Sequence, residues 1–338
     1  MWDLHNVLSL AWAALLAFGV LAYVVLDGFD LGTGILFLIE RDRTDRDVMV
    51  NSIAPVWDGN ETWLVFGGAG LYAMFPLAYS VILPALYPII VAMLLGLILR
   101  GVSFEFRFRA TSSGLFWWDA AFCGGSLVAA FSQGLVLGGL LQGIHVVNGV
   151  YAGGWWDWLT PFTVLCGVAV VIGYALLGAC WLIWRTEGAL EERSRAQAGR
   201  LAIAMLALIV VVSLATPFLH PQYARRWFSW PGILLTSPVP VLVVAVGLLF
   251  RHGLARKHHF TPLLCVELWF VLCLAGLGIS LYPLMVPPAI TIYQAASPLL
   301  SQIFLGVGAV VIVPVILAYN AYAYWVFRGK VTPGMHYH

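Results

Sequence analysis

Nine apolar runs, each about 20 residues long or more, constrain this chain more than any motif in it. They cover roughly 7–39, 52–75, 78–100, 115–141, 158–185, 200–219, 232–251, 260–282 and 299–327. A run of that length crosses a bilayer core as a helix. Lipid supplies no hydrogen-bond partners, so only helices or closed barrels can span it. The two-residue alternation of a barrel strand is absent, so the expected fold is an all-α integral membrane protein of about nine transmembrane helices. Composition agrees: 62% of the 338 residues are hydrophobic and 10% charged, against roughly 25% charged in a soluble domain.

Charge orients the bundle. With loops 1–2, 3–4, 5–6 and 7–8 and the C-terminus on one side, that side holds all but two of the 17 basic residues; the exceptions are Arg225 and Arg226. The positive-inside rule then predicts an outside N-terminus and a cytoplasmic C-terminus, as an odd number of spans requires. The start, Met-Trp-Asp-Leu-His-Asn, lacks the basic region of a cleaved signal, so the first run is expected to be a retained helix. The chain reads as one polytopic domain, 1–338, whose halves 1–185 and 200–338 are joined by a solvated cytoplasmic connection from Arg185 to Arg200. No nucleic-acid partner is expected. The five cysteines lie in apolar segments without C-x-x-C spacing, as buried thiols do. Trp155, Trp156, Trp158, Trp227, Trp230, Tyr322, Tyr324 and Trp325 fall near span ends and read as interfacial anchors.

Carboxylates inside spans are costly, which makes them functional candidates. Asp27 and Asp30 lie in the first run and Asp58 and Glu61 in the second, each pair three residues apart and so sharing a helix face. Glu105 and Asp119 flank the 3–4 loop, and Glu267 lies in the eighth run. With the orientation above, this set occupies the cytoplasmic half or the midplane. Gly28, Gly32 and Gly34 would let a neighbouring helix approach closely, so two helices could present four carboxyls, Asp27, Asp30, Asp58 and Glu61, to one polar seam. A graded line of acids is how proton relays are built. The bland alternative is structural: acids bonded to freed backbone or paired with Arg100, Asp119 favouring a helix N-terminus, Glu267 reaching toward the interface.

Axial haem ligation needs His or Met at depth, but His5, His145, His220, His252, His258, His259, His336 and His338 all fall in loops, termini or helix ends. No haem or metal is expected to be held by this chain alone. Phosphate-binding loops and a Ser/His/Asp arrangement are absent as well.

Three segments carry a resemblance: Asp27-Gly-Phe-Asp-Leu-Gly32, Asn51-Ser-Ile-Ala-Pro-Val-Trp-Asp-Gly-Asn60 and Arg100-Gly-Val-Ser-Phe-Glu-Phe-Arg107. They resemble the signature segments of subunit II of the cytochrome bd-type quinol oxidases, a group that includes the cyanide-insensitive oxidases. The resemblance implies a heterodimer in the bacterial plasma (inner) membrane. Its subunit I would carry haem b and haem d, oxidise quinol and reduce O2 to water. Subunit II would be haem-free and supply a cytoplasmic proton pathway and the dimer interface. It further allows a small single-helix subunit, a bound quinone and lipid as partners. By position Asp27, Asp30, Asp58 and Glu105 match the family's pathway acids. Glu61 has no such match and rests on its place in the sequence alone. The rival from another class is a proton-coupled secondary transporter, which predicts matched broken helices in the two halves. A purely structural assembly subunit is the third reading.

Overall fold

The computed structural model describes residues 3–111 and 114–334; His336 and His338 lie outside them. The helices are α1 Leu4–Leu36, α2 Arg43–Ile53, α3 Trp57–Met74, α4 Pro76–Ala85, α5 Tyr87–Arg109, α6 Leu115–Gln142, α7 Pro161–Arg185, α8 Gly188–Ala215, α9 Pro221–Phe228, α10 Gly232–Thr236, α11 Pro238–Ala255, α12 Thr261–Leu281, α13 Ile292–Ala295 and α14 Leu299–Val326. Short antiparallel hairpins interrupt them: β1 (Val146–Val147) with β2 (Val150–Tyr151), and β3 (Leu284–Val286) with β4 (Ile290–Thr291). Eight span-like stretches are long and apolar enough to cross a membrane, and the bent α3–α4 pair raises the number to nine among the described residues.

The second expected run, 52–75, is in fact divided. Its start belongs to the end of α2, and a turn over 54–56 precedes α3. Pro55 lacks an N–H and its ring crowds the preceding turn, so a helix cannot run through it undisturbed. A second break follows at Phe75–Pro76, where α4 leaves α3 at 119°. Ten residues of α4 make about 15 Å of helix, too short to cross. The third span is therefore α5, which starts at Tyr87 rather than near 78 and continues to Arg109. A further difference concerns the polar run 185–200. Only Thr186 and Glu187 link α7 to α8, and the rest forms the first turns of α8 itself.

The core gathers around α1, α5, α6 and α7. From Asp27 to Leu36 every residue of α1 is buried, which apolarity alone would not require of that stretch. Close approach explains it. Gly28 and Gly32 face α7 and Gly34 faces α6, so the approach expected of these glycines is found. Gly32 lies against the Tyr174 carbonyl, and a Cβ at Gly178 would stand 2.5 Å from the Gly32 carbonyl carbon. The two backbones therefore touch, as in membrane helix pairs built on small residues. Phe29 then stacks on Trp181 with ring centroids 4.0 Å apart. A capping box at Thr160, followed by Pro161, fixes the start of α7 by satisfying amides the helix leaves free.

Both hairpins lie at one end of the bundle, tied by the Ile144 N–H to the Pro287 carbonyl at 2.8 Å. The basic loops lie at the other. There the chain's last described segment returns to α7, with the Val331 N–H on the Arg185 carbonyl and Lys330 Nζ on the Thr186 carbonyl, both at 2.7 Å. All five cysteines are free thiols.

Candidate functional site: a buried carboxylate cluster around Arg100

Arg100 is wholly buried on α5. A guanidinium cannot be left bare in low dielectric, so it must be paired and hydrogen-bonded. Its Nη1 donates to both oxygens of Asp27 at 2.7 and 2.9 Å, and its Nη2 lies 3.4 Å from Glu61 Oε1 on α3. The Trp57 ring covers the guanidinium at 5.8 Å, and Trp57 itself stacks on Phe104. Asp30 is buried one turn from Asp27. Its Oδ2 accepts from Asn60 Nδ2 at 2.7 Å, while Oδ1 is buried with no hydrogen bond.

Two polar chains leave this centre. In one, Tyr324 of α14 donates to Asn60 Oδ1 at 2.9 Å, linking α14 through α3 to Asp30. In the other, Tyr174 of α7 donates to Gln133 Oε1 at 2.6 Å, and Gln133 Nε2 donates to the Tyr23 hydroxyl at 2.7 Å. Tyr23 stands four residues before Asp27, one turn away on α1, and both are buried. Six helices thus send polar groups into one buried centre.

The expected residues separate into two sets. Asp27, Asp30 and Glu61 are brought together; Asp58 and Glu105 are exposed on α3 and α5 and make no hydrogen bond or ion pair among the described residues. The four-carboxyl seam expected of Asp27, Asp30, Asp58 and Glu61 is therefore a three-carboxyl cluster with Asp58 beside it. Geometry explains the difference. Three residues advance a helix by about 300°, so an i, i+3 pair diverges by about 60°, and α3 turns Asn60 and Glu61 inward rather than Asp58.

The other acids go elsewhere. Asp119 is held by Arg46 at 2.9 Å and Arg107 at 2.6 Å, so an ion network rather than a helix dipole explains it. Glu267 is half-buried on α12 and has no hydrogen bond or ion pair among the described residues. Gln133, Tyr23 and Tyr174 are not singled out by the sequence, Asn60 enters only as the end of a signature segment, and Tyr324, expected as an interfacial anchor, instead turns its hydroxyl to Asn60. A lone amide within an apolar run, as Gln133 is, was the signal available.

Among the described residues no histidine stands deep within a span, where an axial haem ligand would sit. His5, His220 and His252 stand at helix ends, and His145, His258 and His259 stand in loops.

The comparisons with known proteins are of one kind. The family model described as "Cytochrome bd terminal oxidase subunit II" matches residues 8–327. The cytochrome bd-I ubiquinol oxidase subunit 2 of Escherichia coli K12 is 29% identical over 373 residues, covering 97% of this chain and 96% of the relative. The cytochrome bd ubiquinol oxidase subunit 2 of Bacillus subtilis is 26% identical, with 98% of each covered. The solved bd oxidase of Geobacillus thermodenitrificans superposes with a TM-score of 0.78 at 18% identity, over 95% of this chain and 98% of that one, a likeness of fold.

Proposed function

Since the chain belongs to the cytochrome bd terminal oxidase subunit II family, and is thus a quinol oxidase component of the bacterial inner membrane, we propose that it is the haem-free subunit that feeds protons to O2 reduction in subunit I. The haems b and d would reside in that partner. Quinol would be oxidised on the outer side, and protons would come from the cytoplasm, the side of the basic loops by the positive-inside rule.

The observation that carries this reading is the ratio of charges in the cluster: three carboxyls to one guanidinium, with Asp27, Asp30 and Arg100 wholly buried and Glu61 half-buried at the edge. With all three ionised, two negative charges would remain uncompensated in low dielectric, a costly state that bound protons relieve. The cluster is thereby suited to hold and pass protons. Asp58 and Glu105, exposed beside it, are suited to deliver them. The route would enter near Glu105 and the loop before α2, pass Asp58, and reach Glu61 with Asp27 and Asp30. Asp27, clamped by both carboxylate oxygens, is the station least free to move. Asp30 keeps one buried oxygen without a hydrogen bond, and Glu61 meets Arg100 only through the longer 3.4 Å ion pair; these two are the freer ones.

Asp58→Asn tests the route. Oxygen consumption by the assembled oxidase should fall about tenfold or more, in the range of a lost proton-transfer group, with the haem spectrum and subunit ratio unchanged. Normal turnover in a fully assembled variant would sink the relay. Loss of assembly would favour the structural reading instead. The transporter rival expects matched broken helices, whereas a single pair of span-forming helices, α3 and α4, is sharply bent among the described residues.

A further inference from the structure

At the hairpin end of the bundle, the segment joining α6 to α7 walls a cavity of about 430 Å³. Its lining includes Gln142, His145, Tyr151, Trp156, Asp157 and Trp158. The Trp156 and Trp158 rings lie 5.8 Å apart at 37°. Asp157 Oδ2 receives the Gly154 N–H at 2.8 Å, and the Tyr151 hydroxyl, which donates to the Gly154 carbonyl at 2.6 Å, stands 3.2 Å from the same oxygen. These contacts orient the exposed carboxylate, and no basic side chain pairs with it among the described residues. Burial and the neighbouring Asp157 push the Tyr151 hydroxyl above the usual tyrosine range, so it stays a neutral donor. The Trp158 indole N–H, a donor only, is buried without an acceptor.

A second hollow lies deeper between the same two helices. It is a groove of about 340 Å³ lined wholly by Leu127, Val128, Phe131, Val168, Val171 and Ile172. Eight residues separate Gly139 from Phe131 on α6, and eight separate Thr160 from Val168 at α7, so the groove begins about 12 Å below the cavity. Val128 and Val168 are both exposed there. A fixed, unpaired carboxylate among aromatic faces selects an alkylammonium. A spare indole N–H beside it suits an ester or phosphate oxygen. An apolar groove below adds a chain. We propose that this cavity binds the ammonium headgroup of an ethanolamine-type phospholipid, with one acyl chain lying along the α6–α7 groove.

The test is native mass spectrometry of the intact oxidase complex, delipidated and titrated with phosphatidylethanolamine, phosphatidylglycerol or soluble phosphoethanolamine. One phosphatidylethanolamine should be retained over phosphatidylglycerol by roughly fivefold, the size of one exposed cation–π contact. Asp157→Asn keeps an acceptor for the Gly154 N–H and removes only the charge; it should abolish that preference. Trp156→Leu, at a ring 64% exposed, should weaken retention with turnover unchanged, and carries the test if the Asp157 variant fails to assemble. Equal retention of the two lipids, or a preference indifferent to both substitutions, would overturn the site. Phosphoethanolamine bound as well as the lipid would overturn the acyl-chain assignment in favour of a soluble ammonium ligand.

Discussion

α7 and α14 look alike as sequence, yet the bundle treats them as opposites. Their span windows have mean hydropathies of 2.2 and 2.4, but 56% of the first is buried within the chain and 6% of the second. Apolarity thus marks what crosses the membrane without distinguishing what a helix faces there. The difference lies in the small and polar residues. α7 brings Gly178 to the backbone of α1 and Gly173 to the Phe270 ring of α12, and buries Ala175, Ala179 and Cys180 beside them. α14 buries Gln302, Val313 and Asn320 and turns Phe304, Val307, Val310 and Val315 outward. An interior helix is thin-walled and close; a peripheral one is bulky and smooth.

The contrast is most exposed to failure at Arg100. Arg100→Leu leaves Asp27 buried without its partner, a change that costs about 3–5 kcal/mol. The variant should lose most of its thermal stability in detergent and accumulate poorly, and a variant as stable as the parent would mean that the ion pair does not hold the interior together. Gly32→Ala comes next. Its methyl would overlap the Tyr174 carbonyl, and forced separation of packed helices costs about 1–3 kcal/mol, visible as a lowered midpoint of thermal unfolding. Val310→Ala on α14 should change the stability of this chain by less than about 0.5 kcal/mol, as surface changes do, since Val310 is 75% exposed. A large loss of heterodimer in that variant would show that α14 is peripheral only in the isolated subunit.

The smallest effect is expected at Lys330. Burial pulls its ammonium below the usual lysine range, against the opposing pull of Glu191. The folded chain then binds this proton less readily than the unfolded chain. Its contribution to stability should therefore rise with pH between the lowered folded value and the ordinary value near about 10.4. Proteolytic release of the last residues, followed between neutral and alkaline pH, should slow as pH rises, and Lys330→Gln should flatten that dependence.

These contrasts explain what could be read in the sequence. The spans were legible because hydropathy is additive along a run, and a close helix contact along α1 because Gly28 and Gly32 leave room for one, but not that α7 makes it. The division of the second run was not legible, because counting apolar residues gives Pro55 no weight, and neither was the sideways turn of α4 after Pro76. Neither could the separation of Asp58 from Glu61 be seen, since it depends on how α3 is rotated against α1 and α5. Gln133, Tyr174 and Tyr324 reach the centre from helices far away in sequence, where adjacency cannot reveal them.

The pairing of Asp27 with Arg100 also sets an order of events during biogenesis. Synthesis is vectorial, so α1 enters the translocation channel with two acids long before residue 100 has been made. Each charge at the centre of a lone helix opposes insertion by about 2.5–3.5 kcal/mol. Desolvating Asp27 before α5 is made therefore costs more than desolvating it afterwards, when Arg100 pairs with it. Full burial of the acids of α1 is favoured most once the chain has been synthesised through α5.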